Sequence, residues 1–285
     1  MVMASFWTIF RFSAWRLRWT VLGWGIPLLL LGLITAPFYD LVAENERQLR
    51  PVIEGLKPLV KSFIGGEDAE DIFTPEGFIA LRYFAFLPII LGIFGAVAGS
   101  GMLASDEERG ILDFLLAHPA GRASFFFGRL VALGCALVAI VGLGWIGLWC
   151  GVLRAGSLDF PPGQILLPYT SVLAVSMFFT TLALALSMVM PSRVTAAMTT
   201  GFVVLAGEII TNLAKAIVQL ETAARFSPLT YFQSNAMRGL HIEPVLGLLA
   251  FALLFSMCAW AGFQGRDIRV AGDGGWKFPF PRLRK

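Results

Sequence analysis

An all-α, polytopic membrane protein is the fold class this chain predicts, and three observations carry that expectation. Hydrophobic side chains make up 57% of the 285 residues, with a mean hydropathy of +0.75. Charged residues are only 14%, against roughly 25% in ordinary soluble domains. The apolar residues gather into six stretches, each near the ~20 residues a helix needs to cross a hydrocarbon core. An open sheet edge leaves backbone groups unpaired in lipid, so a helical bundle is the expected architecture.

The elements follow in order. Residues 1–20 mix Trp7, Trp15 and Trp19 with Arg11, Arg16 and Arg18, the make-up of an N-terminal interfacial helix. No small-residue cleavage site follows a short apolar core, so this stretch is read as retained, not as a signal peptide. Spans are expected at residues 21–38, 78–104, 127–153, 165–190, 194–218 and 245–263. Thr74-Pro75-Glu76 reads as an N-cap followed by proline at the first helical position, Pro191-Ser192 separates the fourth span from the fifth, and Ser227-Pro228 starts another helix. The polar segment 40–77, interrupted by Pro51, Pro58 and Gly65-Gly66, predicts broken surface helices.

An even number of spans puts both termini on one side. Arg11, Arg16, Arg18, Arg109, Arg122, Arg129, Arg193 and the basic residues of 266–285 all fall on that side, and they are more than half of the 22 Lys and Arg. The positive-inside bias makes it cytoplasmic. The expectation is therefore a single transmembrane domain, 1–285, in the plasma membrane. Segment 40–77 is extracytoplasmic, and residues 105–122 and the tail 264–285 are cytoplasmic.

Between the second and third spans lies a charged island, Ser105-Asp106-Glu107-Glu108-Arg109-Gly110, followed by Ile111-Leu112-Asp113-Phe114-Leu115-Leu116-Ala117-His118-Pro119-Ala120-Gly121-Arg122. Ser105 and Glu108 have the spacing of a capping box, with the acids placed where a helix N-terminus favours them. Ile111, Leu112, Leu115 and Leu116 recur at helical spacing, and Pro119 with Gly121 ends the pattern. The reading is a short amphipathic helix over 105–122, serving either as a solvated connector or as a docking element for another protein.

The run from Glu107 to Arg122, with Phe127-Gly128-Arg129-Leu130 after it, resembles the cytoplasmic loop of type-2 (ABC-2) ABC transporter permeases. Ile111 stands where threonine is common there, and Arg129 where lysine is common. Phe226-Ser227-Pro228-Leu229-Thr230-Tyr231-Phe232 resembles the family's Ser-Pro-aromatic segment. Phe263-Gln264-Gly265-Arg266-Asp267-Ile268 resembles its C-terminal Phe-x-Arg-Arg-Asp-Leu ending, with Gly265 in place of the first arginine. The resemblance implies a cytoplasmic coupling helix at 105–122, seated in a groove of a separate ABC ATP-binding subunit. It implies that Glu107, Glu108, Arg109, Ile111, Leu112, Leu115, His118 and Arg122 form the docking set. It also implies a second permease chain, as homo- or heterodimer, export as the direction of transport, and ATP with Mg on the partner.

The chain has no G-x-x-x-x-G-K-[ST] phosphate cradle, so it is expected to bind no cofactor of its own. His118 and His241 are too far apart to predict a metal centre, and the scarcity of histidines and intramembrane acids argues against an intramembrane hydrolase. A net charge of +3 without a basic stripe argues against nucleic acid. Cys135, Cys150 and Cys258 fall in apolar runs and are read as buried packing thiols. Glu208, Asn212 and Lys215 share one face of the fifth helix. They are a candidate pathway set, or a polar group pairing near the outer end of the span. If they couple an ion gradient, the chain is instead an ion-coupled secondary transporter. Gly95 with Gly99, and Gly147 with Gly151, predict close helix contacts, by default within the chain and otherwise at a subunit interface.

Overall fold

The structure, a computed structural model, describes residues 2–55, 73–108, 110 and 121–265. Among these residues the helices are α1 (Val2–Glu44), α2 (Glu46–Gly55), α3 (Pro75–Arg82), α4 (Leu87–Glu108), α5 (Arg122–Val152), α6 (Pro162–Val189), α7 (Arg193–Ala216), α8 (Glu221–Ala224) and α9 (Ile242–Gly265), and there is no strand. Among the described residues six helical stretches are long and apolar enough to cross a membrane: Ser5–Glu44, Pro75–Glu108, Arg122–Val152, Pro162–Val189, Arg193–Lys215 and Ile242–Gly265. Each contains most of one predicted span. They alternate in direction between the end that holds 105–122, the island end, and the opposite end.

No break separates residues 1–20 from the first span, because α1 is continuous from Val2 to Glu44. At 1.5 Å per residue it is about 64 Å long, roughly twice a hydrocarbon core. Pro27 and Pro37 lie inside it. Each lacks an N–H, so the Gly23 and Leu33 carbonyls lose their helical donors. What holds α1 in place is α5, which runs parallel to it with its glycines pressed against α1's backbone. Gly25 lies against Leu143, Gly32 against Gly147 and Leu148, and Gly151 against Gly32, Leu33 and Ala36. In lipid, where no water drives apolar helices together, such backbone contact is the main source of affinity. The predicted Gly147 and Gly151 notch is thus used within the chain.

Helix α6 is the centre of the remaining bundle, packed on α4 and α9 and touching α5 and α7. Gly95 and Gly99 of α4 sit against Ser176, Thr180 and Ala183 of α6. The α6 hydroxyls that meet this notch are already satisfied along their own helix, with Ser176 donating to the Val172 carbonyl and Thr180 to the Ser176 carbonyl, both at 2.7 Å. They pack as small groups without leaving an unpaired donor in lipid.

The second span is interrupted. Thr74 caps α3 as predicted, its hydroxyl accepting from the Gly77 N–H at 3.2 Å. The α-helix stops at Arg82, a 3-10 turn spans Phe84–Phe86, and α4 restarts at Leu87 with Pro88 in its first turn. Tyr83 fills the break and is fully buried. Its hydroxyl accepts from Tyr169 of α6 at 2.9 Å and shares its own proton between the carbonyls of Leu28 in α1, at 3.3 Å, and Gly144 in α5, at 3.2 Å. One phenol therefore joins four helices. Tyr83→Phe removes the acceptor of a second buried hydroxyl, whereas Tyr169→Phe leaves Tyr83 still donating. The first is expected to cost about 1 kcal/mol and the second less, read as the order of melting temperatures of the purified variants.

The cysteine expectation is corrected. Cys135 and Cys258 are exposed and Cys150 half-buried, and all three are free thiols. An apolar neighbourhood in a membrane helix marks the lipid-facing side as readily as the core, so sequence context alone does not bury a residue.

Candidate functional site

The island is anchored by its flanks. Ser105, Asp106, Glu107 and Glu108 are the last turn of α4, and do not start a new helix. The predicted cap at Ser105 is therefore corrected. Gly110 ends the element, with φ +68° and its N–H on the Glu107 carbonyl at 3.0 Å, the left-handed closure that favours glycine just past a helix. This places three carboxylates at a helix C-terminus, where the backbone dipole opposes negative charge. Cations from three other helices offset them.

Asp106 is 1% exposed and lies between two arginines. Arg129 of α5, itself buried, pairs with Oδ2 and donates from its other terminal nitrogen to the Met102 carbonyl at 2.8 Å. Its guanidinium also lies 4.2 Å from the centre of the Phe125 ring. Arg16 of α1 reaches both Asp106 oxygens at 3.2 Å. The planar guanidinium of Arg129 can span a carboxylate and a carbonyl at once, which a lysine ammonium cannot do with the same geometry. Glu107 is buried in the same turn.

Glu108 points out of this cluster to the start of α7, accepting from the Arg193 N–H at 3.1 Å and pairing with its Nε at 3.0 Å. A carboxylate at a helix N-terminus is favourable, and Ser192 with Thr195 completes a capping box there. Across the loop, Arg122 opens α5 and donates to the Gln264 carbonyl at 3.0 Å, at the end of α9. Behind it Phe125, Phe126, Phe127, Trp260 and Phe263 stack between α5 and α9. The two ends of the island are thus joined to α1, α4, α5, α7 and α9. Of the docking set, Glu107, Glu108 and Arg122 are located here, whereas Arg109, Ile111, Leu112, Leu115 and His118 lie outside the described residues.

The family model for ABC-2 family transporter proteins matches residues 19–261. The chain belongs to that family. A search of curated proteins finds no match. The matched stretch of this permease takes in Asp106, Arg129, Glu108 and Arg193, while Arg16 and the first turns of α1 precede it. As a member of the family it is a multi-pass membrane component of an ABC transporter system.

The sequence reading missed Arg16, Arg129 and Arg193 as partners of the island. The one local signal was Gly110: Glu-Glu-Arg-Gly reads as a helix end with its closing glycine, and that reading competes directly with the capping box at Ser105.

At the opposite end of the permease, the polar face of α7 is assembled as the spacing predicts. Asn212 donates to Glu208 at 2.9 Å, with both half-buried, and Lys215 is exposed one turn further on. The Ser-Pro segment docks beside them. Ser227, which caps the 3-10 turn Pro228–Tyr231, donates to the Gly207 carbonyl at 3.1 Å and accepts from Thr211 at 3.0 Å. Gln233 and His241 close the adjoining loop with reciprocal hydrogen bonds of 2.8 Å.

Proposed function

We propose that this permease is the membrane half of an ATP-driven exporter, worked by a separate ATP-binding subunit that docks on residues 105–122. The convergence of charged contacts on the two ends of that loop supports the reading most directly. A rigid-body displacement of the loop would pass through Asp106 to α1 and α5, through Glu108 to α7 and through Arg122 to α9. A flexible connector, held at one helix only, would absorb such a displacement. Since a ligand can bias a two-state element only through contacts that differ between the states, the docked loop must be stiffly joined to the helices it is to move.

In this reading ATP and Mg are held by the partner, and the permease chain holds no cofactor. Residues 1–285 form one transmembrane domain in the plasma membrane, with both termini and the tail 264–285 cytoplasmic and segment 40–77 outside. Two permease chains, identical or related, enclose the pathway, and Glu208, Asn212 and Lys215 border it at the outer end.

The test uses the loop's apolar positions. Glu108 also holds the start of α7, so replacing it would confuse docking with folding. Leu112→Ser with Leu115→Ser leaves every described anchor in place. Those variants are expected to insert and purify as the parent does, but to lose most co-purification with the ATP-binding subunit and most coupled ATP hydrolysis. Undiminished co-purification removes the docking role. Gradient-driven transport by the permease alone in sealed vesicles would replace the whole reading with an ion-coupled one.

A further inference from the structure

We propose that the island-end part of α1 carries a binding site for one acidic phospholipid, its headgroup phosphate held between Arg11 and Arg18 beside Trp15. Arg11 and Arg18 are two helical turns apart and so share a face of α1. Trp7, Trp15 and Trp19 accompany them and are 56%, 66% and 68% exposed. The Arg18 guanidinium carbon lies 3.4 Å from the centre of the Trp15 ring and 5.4 Å from that of Trp19. The Arg18 Nη1 is buried and has no hydrogen-bond partner among the described residues. A buried donor without an acceptor is unfavourable, and a cationic one more so. An anionic oxygen that reaches it as the Trp15 ring turns aside would complete it.

Three further observations identify the source of that oxygen. Among the described residues none is seen to supply it on this face: α1 has no Asp or Glu before Asp40, and the Asp106 carboxylate is already taken by Arg16 and Arg129. Depth is the second. From Arg16 to Asp40, which accepts from the Gly156 and Ser157 N–H groups at the opposite end, α1 rises about 36 Å. This exceeds a hydrocarbon core of ~30 Å by little, so the arginines stand at headgroup level on one side. Third, an exposed apolar ridge of Leu22, Ile26, Leu30 and Ile34 starts beside the arginine face and winds around α1 into the membrane, about 40° per step. Headgroup on the guanidiniums and acyl chain along that ridge is the arrangement of a phospholipid, not of a free phosphate or a peptide. Two guanidiniums repel a choline ammonium, so the preference is for an acidic lipid such as phosphatidylglycerol.

The full-length permease, reconstituted in nanodiscs of phosphatidylcholine with a minor share of phosphatidylglycerol, is released and weighed by native mass spectrometry. The parent is expected to retain phosphatidylglycerol in preference to phosphatidylcholine. Arg11→Gln with Arg18→Gln should lower that preference roughly 25-fold, about fivefold per guanidinium. Arg82→Gln, on α3 toward the opposite end, should leave it unchanged. Equal retention by the parent and the double variant, or no preference in the parent, overturns the site. Should the double variant fail to fold, a photoreactive phosphatidylglycerol decides on the parent alone: labelling within residues 7–22 supports the site, and labelling confined elsewhere overturns it.

Discussion

Asp106→Ala is expected to cost about 3–5 kcal/mol, enough to remove most folded permease from a detergent extract. The reason is what the substitution leaves behind. Arg129 is only 6% exposed, and without the carboxylate its charge stays buried against Phe125 and one carbonyl. Two comparisons separate this effect from a general intolerance at the island. Glu108→Gln breaks a pair whose side chains are 41% and 43% exposed, and its loss should stay within about 1 kcal/mol. Asp106→Leu combined with Arg129→Leu removes both buried charges, and most of the lost stability should return. The measurement is the melting temperature and the monodisperse fraction on size-exclusion chromatography. Parent-like stability of Asp106→Ala would show that the cluster does not hold α4 to α5. A double variant no better than the single one would point instead to packing.

Gly147→Val is the second large effect. A Cβ at this position overlaps the Leu29 backbone of α1, including its carbonyl, and backbone cannot turn aside as a flexible side chain can. The two helices must separate, and the seam from Gly25 to Gly151 loses its close contacts along its length. The cost is expected at about 3 kcal/mol or more, seen as loss of the monodisperse peak. Gly142→Val, five residues earlier on the same helix, is the control, since a Cβ there meets nothing within 4 Å. Equal recovery of the two variants would mean that α1 and α5 are not pressed together at Gly147.

Much of the fold is legible before any coordinates. A span has to be apolar over its whole length and its backbone can pair only with itself, so the six spans and their alternation follow from local composition. Thr74 and Ser192 are caps whose partners lie three residues away, and such short-range chemistry is readable from order alone. The Glu208 and Asn212 pair is of the same kind, one helical turn apart.

Where two local patterns compete, sequence does not choose between them. Ser105 to Gly110 fits the start of one helix and the end of another. The decision came from distant arginines: Arg16 and Arg129, 90 and 23 residues from Asp106, hold that carboxylate, and Arg193, 85 residues from Glu108, takes the one a capping box would have used. The cysteines failed for a related reason, because lipid and core are equally apolar and a thiol in either looks the same in the chain.

Local order in the chain was enough for the membrane class, the number of spans, the cap at Thr74, and the motifs that resemble the ABC-2 family. Tertiary structure alone decided that α1 pairs with α5, that Tyr83 ties four helices at a break in the second span, and that the island ends are clamped by arginines from elsewhere. The division follows the range of the forces. Hydrophobic length and hydrogen bonds within one turn are properties of a local segment. A glycine notch, a shared phenol proton and a buried ion pair exist only once distant segments meet, and their energy depends on the partner that arrives.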